Sequence, residues 1–252
     1  MKVKQKTVLY FTPFRQNIFM RFFERIRHLP ILTTIALLAV LIIPAFAVLL
    51  GTASAPAPAE PAPVPEVHVP TVYIETGHGT DDHDIWDPGC SWNGHQEAEL
   101  MIPIAQAMAD SLKRSGVTVY TDAYSDNNKN LEETLDFLEE HKDEIDAFVN
   151  IHCDYEYAEP GTMPLYKTKK QKKLARALNK GFHSKVDIAD RGLTLRTDMK
   201  TLNNERVHCP AVLFETGSIA ADFTVLTEHA EEYGQGLAKG MCKFLDIPWA
   251  DK

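Results

Sequence analysis

The sequence predicts an α/β domain with a central, mostly parallel twisted sheet flanked by helices, preceded by one N-terminal transmembrane helix. Beyond residue 70, short segments rich in β-branched and aromatic residues alternate with segments of helical periodicity, an order typical of parallel sheets. Ile31 to Leu50 contains no charged residue, and about 20 such residues span a bilayer as a helix. We therefore expect a single domain over residues 71–252.

The first 30 residues form a basic segment that we expect to stay in the cytoplasm. They contain seven lysines and arginines and one acid, Glu24, so the chain after the apolar segment should be translocated. Residues 31–50 are interpreted as an uncleaved membrane anchor, because the apolar run exceeds the ~7–15 residues of a usual signal h-region. A cleaved signal stays open, since Ala45-Phe46-Ala47 and Ala53-Ser54-Ala55 suit cleavage, and the protein would then be secreted.

Residues 51–70 are rich in alanine and proline and should form an extended linker. Removing the seven bases and one acid of the N-terminal segment from the formal net charge of −9 leaves −15 for the remainder. Such a surface repels polyanions, which argues against nucleic acid as a partner. We expect a cell-membrane protein whose domain lies outside the cytoplasm.

The sheet is predicted from six apolar segments, which are Val72–Glu75, Val117–Thr121, Ala147–Ile151, Met163–Tyr166, Leu193–Arg196 and Ala211–Phe214. Helices are predicted to begin near Leu100, Leu131, Lys170 and Thr227. Pro103 falls within the first of them, where it either belongs to the opening turn or kinks the helix.

Four cysteines would meet an oxidising compartment, and the sequence does not choose among three disulfide pairings or free buried thiols. They are Cys90, Cys153, Cys209 and Cys242.

Three polar residues follow predicted strands. His78 lies in a Gly77-His78-Gly79 turn after the first strand, and His152 and Glu215 directly follow the third and the last. Because ligands of open α/β sheets bind at the carboxyl edge, these side chains should converge. Two histidines and a carboxylate are a usual catalytic zinc set that leaves one position to water, and a second carboxylate must then serve as base. Spacing alone does not single out one of the nearby acids, which are Asp81, Asp82, Asp84, Asp87, Glu97 and Glu99.

Four motifs resemble, in order, those of the zinc-dependent N-acetylmuramoyl-L-alanine amidases (amidase type 3), which hydrolyse bacterial cell walls. They are residues 73–79 (YIETGHG), 94–97 (GHQE), 150–152 (NIH) and 210–217 (PAVLFETG). The resemblance implies one zinc ion held by His78, Glu97 and His152, with Glu215 as the catalytic residue. Asp190-Arg191-Gly192 also resembles a family segment.

The same resemblance implies hydrolysis of the amide bond between N-acetylmuramic acid and L-alanine in peptidoglycan by a zinc-activated water. A zinc peptidase acting on wall peptides and a non-catalytic peptidoglycan-binding pseudoenzyme are the alternatives. The sequence departs from the family where Glu75-Thr76 replaces a usual aspartate-proline pair, and residues 202–209 (LNNERVHC) lack a hydrophobic-arginine stretch. The interval from Cys153 to Lys169 leaves no room for a long regulatory helix. No protein activator is indicated.

Several further residues near these motifs are best interpreted as ordinary surface or packing positions. Aromatic and histidine side chains between the first two motifs could contact substrate, but packing and solvation are the favoured interpretations for Trp86, Trp92, His83 and His95. The lysine-rich segment Lys167–Lys173 is interpreted as a solvated helix N-terminus.

Overall fold

A computed structural model of the protein describes residues 68–81, 83, 85–124 and 131–251. The predicted basic segment, the membrane segment and most of the linker lie outside the described residues. Within the described ranges, no helix is both long enough and apolar enough to cross a membrane.

Within the residues that the structure describes, ten strands and five helices follow the predicted alternation. The strands are β1 (Thr71–Thr76), β2 (Gly79–Thr80), β3 (Trp86–Asp87), β4 (Ser91–Trp92), β5 (His95–Gln96), β6 (Thr118–Thr121), β7 (Ala147–Asp154), β8 (Met163–Tyr166), β9 (Thr194–Leu195) and β10 (Ala211–Ser218). The helices are α1 (Glu97–Arg114), α2 (Leu131–Glu140), α3 (Lys169–Phe182), α4 (Phe223–Glu228) and α5 (Ala230–Leu245). The predicted helix start near Thr227 is corrected, because Thr227 lies in short α4 and the longer helix begins at Ala230.

Six strands form one sheet in the order β6-β1-β7-β10-β8-β9. Strand β8 runs antiparallel to β10, while the other neighbours in this sheet are parallel. The α/β class with a mostly parallel sheet is therefore confirmed. Because β1, β7 and β10 are adjacent and parallel, the polar residues at their carboxyl ends lie at one edge.

The sheet is packed on both faces. Alternate residues of β1, β7 and β10, such as Ile74, Val149 and Phe214, point into a core shared with α1, α3 and α5. The opposite face carries Tyr73 and Phe148 against apolar residues of α2. On this second face the next residues along β1 and β7 are polar, so the core gives way to polar side chains near the carboxyl edge.

Strands β7 and β10 extend beyond their predicted carboxyl ends, and this corrects the position of two site residues. His152 and Glu215 lie within β7 and β10 rather than directly after them, because their backbones are paired in register. Pro103 lies inside α1 on its exposed side, beyond the opening turn. There it removes a hydrogen bond only from the solvent-facing side of the helix.

Helices α3 and α5 cross with their backbones in contact. A Cβ atom added at Gly240 would lie 2.4 Å from the carbonyl oxygen of Ala177, and one added at Gly181 would lie 2.3 Å from the amide nitrogen of Gly240. Only glycine at both positions allows this approach, which lets Phe182 pack against the ring of Tyr233.

The substitution Gly240→Ala is expected to destabilise the full-length protein by about 1–3 kcal/mol, because backbone blocks the added methyl group. In an open helix the same change would be stabilising. Denaturant unfolding measures the difference, with the exposed α5 change Lys243→Ala as a control that should stay within about 0.5 kcal/mol of wild type. A Gly240→Ala protein as stable as the control would contradict the backbone contact.

Candidate metal centre and active site

His78 lies in a tight turn that follows β1. The Gly77 amide donates to the carbonyl oxygen of Ile151 at 2.8 Å, and the chain then turns through His78 (φ 66°) and Gly79 (φ 108°). A non-glycine residue in this left-handed region is uncommon and is often held there by its surroundings. A Cβ atom on Gly77 would lie 2.3 Å from the imidazole of His152, so glycine at this position lets the two elements meet.

Glu97 is the first residue of α1, and its carboxylate lies buried between two imidazoles. Oε1 is 2.9 Å from Nδ1 of His152, and Oε2 is 3.2 Å from Nε2 of His78. Two backbone amides, those of Cys153 and Cys90, also donate to the carboxylate at 3.1 Å each. Burial opposes ionisation of Glu97, but the hydrogen bonds and charges of the two histidines outweigh it and hold its pKa well below the ordinary value.

The site attracts positive charge. Burial disfavours the protonated form of His78, yet hydrogen bonds to Glu97 and Asp87 dominate and raise its pKa to about 9. One ligand atom each from His78, Glu97 and His152 lies within 4.8 Å of the others. Two imidazole nitrogens and one carboxylate oxygen are a common catalytic zinc set, so this group fits a divalent metal ion.

Asp87 supports His78 from the side opposite Glu97. Its Oδ2 atom is 2.8 Å from Nδ1 of His78, which directs Nε2 toward the cluster. Burial raises the pKa of Asp87, but the contact with His78 outweighs this and leaves the pKa below its ordinary value. Residue spacing left Asp87 among six candidate acids, and the family resemblance implied Glu97 as the ligand. The structure adds that Asp87 contacts the far side of His78.

Glu215 lies beside His152 across the β7–β10 pairing. Its Oε2 atom is buried and has no hydrogen-bond partner. Burial raises the pKa of Glu215 to about 7, with nearby Glu97 and Asp154 acting in the same direction and His152 opposing them. Glu215 is therefore a carboxyl group that gains and loses a proton near neutral pH.

Arg191 lies close to this carboxyl group. It belongs to the segment Asp190-Arg191-Gly192, which resembles the family but had no role assigned from the sequence. Its guanidinium pairs with Asp154 at 2.9 Å and donates to the carbonyl oxygen of Gly161 at 2.9 Å. Its charge lowers the pKa of Glu215 in opposition to burial. The ion pair thus helps to set the electrostatic environment of the site.

The other candidate residues have local contacts. Asp81 accepts from the backbone amides of His83 and Ile85, and His95 packs on the ring of Phe223. Trp86 donates to Gln96, and Glu99 is exposed on α1. Asp82 and Asp84 lie outside the described residues.

All four cysteines are free thiols in this structure. The sulfur atoms of Cys90 and Cys153 are 3.9 Å apart, next to the candidate metal ligands. Together with Glu97 these two cysteines form a second group of metal-ligand type, which shares its carboxylate with the histidine site.

Comparison with known proteins identifies the class. A sequence model of the N-acetylmuramoyl-L-alanine amidase family matches residues 72–244. The chain therefore belongs to this family of peptidoglycan amidases, as the ordered motifs predicted.

Individual proteins that resemble this chain share about a quarter of their residues with it. The uncharacterized protein YqiI of Bacillus subtilis (strain 168) is 27% identical over 181 residues, which cover 70% of this chain and 83% of YqiI. The catalytic domain of the amidase CwlV from Bacillus (Paenibacillus) polymyxa has the same fold, with a TM-score of 0.62 and 24% identity. The match covers 71% of this chain and 100% of the CwlV domain. The amidase AmiC2 of Nostoc punctiforme matches with a TM-score of 0.61 and 24% identity, over 70% of this chain and 97% of the AmiC2 chain.

Removing the side chain that orients His78 is expected to weaken metal binding. Asp87→Ala should lower the affinity of the full-length protein for Zn²⁺ by about 10–100-fold, because the imidazole loses the partner of its Nδ1 atom. Competition with a chromogenic chelator measures this affinity. The exposed change Asp187→Ala is the matched control, and equal affinities in the two variants would contradict the role of Asp87.

The raised pKa of Glu215 predicts a pH-dependent cost in stability. At a pH below the ordinary pKa of a carboxyl group, Glu215 is protonated in both the folded and the unfolded chain, and its burial costs no stability. As the pH rises through about 7 the buried group must ionise, and the free energy of unfolding falls. In metal-free protein, Glu215→Gln should therefore raise the thermal midpoint at pH 8 and change it little at pH 5. The exposed change Glu140→Gln should show no such pH dependence, and a Glu215→Gln effect equal at both pH values would refute the assignment.

Proposed function

We propose that this amidase hydrolyses the bond between N-acetylmuramic acid and L-alanine at a zinc ion held by His78, Glu97 and His152, with Glu215 as acid–base residue. The observation that carries the proposal is the register of β7 and β10, which sets the unpartnered carboxyl of Glu215 beside His152. When bound, zinc supplies Lewis acidity that lowers the pKa of a water toward ~7 and polarises the amide carbonyl.

The protein residues have distinct tasks in this proposal. Glu97 stays ionised through the pH range of the reaction because the imidazoles and two backbone amides stabilise its charge. Asp87 keeps His78 in one orientation. Glu215 accepts the proton of the attacking water and gives it to the leaving amine, and a carboxyl whose pKa is raised to about 7 by burial suits both steps.

We further propose that the domain works outside the cytoplasm, tethered by residues 31–50. The uncharged apolar run and the basic segment before it support this location. The linker at residues 51–70 then allows the tethered domain to reach peptidoglycan.

Digestion of purified peptidoglycan tests the reaction. The full-length protein in detergent should release intact stem peptides with a free L-alanine amino group, detected by mass spectrometry. Glu215→Gln should reduce the rate by about 10²–10⁴-fold while still binding zinc, because only the acid–base group is lost. Chelation should abolish release and added zinc should restore it.

The exposed change Glu140→Gln serves as the control and should keep the wild-type rate. Cuts inside the stem peptide would instead identify a peptidase, and zinc binding without any cleavage would identify a non-catalytic wall-binding protein. Either result would replace the proposed reaction.

A further inference from the structure

The cleft beside the candidate metal centre continues below the histidines along the sheet. The residues that line a cavity of about 380 Å³ include His78 and His152, and also Glu75, Asn150 and Thr201. The hydrolytic step uses none of the last three residues. The part of the cavity wall formed by Glu75 and Asn150 is called the cleft floor below.

Glu75 and Asn150 are neighbours in the sheet. They are paired in register between β1 and β7, and they are only 3% and 4% exposed. Both carry a buried oxygen without a hydrogen-bond partner, Oε2 of Glu75 and Oδ1 of Asn150. The amide nitrogen of Asn150 donates to Oγ1 of Thr201 at 3.4 Å, which turns its oxygen away from that contact.

Two unpaired oxygens on neighbouring residues that line a cavity indicate a ligand group with N–H donors. Buried polar atoms are almost always hydrogen-bonded, and exceptions call for a physical reason. An amide group is complementary to this pair in either protonation state of Glu75, since it offers N–H donors and a carbonyl acceptor. Burial, with the nearby Asp122, raises the pKa of Glu75, so its carboxyl can also donate, but the Oδ1 atom of Asn150 can only accept. A carboxylate ligand has no N–H donor and would leave this oxygen unpaired.

The distance along β7 between the cleft floor and the metal ligands limits which amide groups of the substrate can contact Glu75 and Asn150. Asn150 precedes His152 by two residues, so the cleft floor lies about 6–7 Å from the metal ligands. In a muramoyl peptide whose scissile carbonyl is at the metal, two amide groups are roughly five to seven bonds away. One is the acetamido group of the sugar, and the other is a carboxamide on the second stem-peptide residue.

We propose that Glu75 and Asn150 form a subsite that binds an amide group of the muramoyl peptide and rejects a carboxylate at that position. The inference rests on the proposed hydrolysis of the muramoyl–alanine bond, because that reaction fixes which substrate bond lies at the histidines.

Synthetic muramoyl peptides test the subsite with the full-length protein. One pair differs by a carboxamide or a carboxylate on the second stem residue, and the other by an acetamido group or its acetoxy analogue on the sugar. The wild type should favour the amide-bearing member of at least one pair by about tenfold or more in kcat/KM, because the subsite's acceptors stay unpaired with the other member. The pair that shows the preference identifies the source of the amide.

The variant Asn150→Leu, similar in volume and without polar atoms, should reduce this preference to within about twofold while both substrates are still cleaved. Glu75→Gln supplies a second variant that keeps the side-chain shape, and Glu140→Gln should retain the wild-type preference. Thermal unfolding and zinc content verify that each variant is folded.

Three results are distinguishable. A purely structural role for the pair would lower kcat/KM equally for all substrates and leave the preference unchanged in both variants. A cleft floor filled only by water would give wild-type ratios near one for both pairs. Either outcome overturns the subsite, whereas absence of stem-peptide release from every substrate overturns the proposed reaction itself.

Discussion

A single buried carboxylate holds the candidate metal centre together. Glu97 meets His78, His152 and two backbone amides, and so it joins the turn after β1, strand β7 and the loop before α1. Its own amide donates to the carbonyl oxygen of Cys90 at 2.9 Å, which fixes that loop against the helix start. A negative charge at a helix N-terminus is also favoured by the helix dipole. The charge of this carboxylate attracts the protons of the two imidazoles, and a divalent cation would be attracted in the same way.

The close approach of these elements depends on two glycines, which have no side chain. Gly77 leaves room for the His152 ring, and a Cβ atom on Gly89 would lie 2.5 Å from the His78 ring and 2.6 Å from Oε2 of Glu97. Support for the turn also differs from the usual aspartate-proline pair. Thr76 donates to Asp122 through both its amide and its hydroxyl, at 3.0 and 3.2 Å, and proline could make neither bond.

The carboxyl edge of the sheet combines two kinds of buried carboxyl group. Glu97 is held ionised by its partners, whereas burial without a partner raises the pKa of Glu215 to about 7. Carboxyl groups whose environments push their pKa values apart are typical of sites that separate metal binding from proton transfer. Glu75 is another buried carboxyl near this edge, and its unpaired oxygen belongs to a residue that lines the cavity beside the metal ligands.

The sequence by itself determined the α/β class, the position of His78, His152 and Glu215 in or near the carboxyl halves of strands, and, through four ordered motifs, the amidase family. These features are local, because strand periodicity and a turn motif are properties of neighbouring residues. Residue spacing could not separate Glu97 from Asp87, since both are acids in the stretch between β1 and the first turn of α1. Only the tertiary structure decided that Glu97 lies between the imidazoles while Asp87 contacts the far side of His78. It also decided that Glu75 and Asn150, 75 positions apart, are neighbours, because strand pairing depends on how distant segments pack rather than on their own residues.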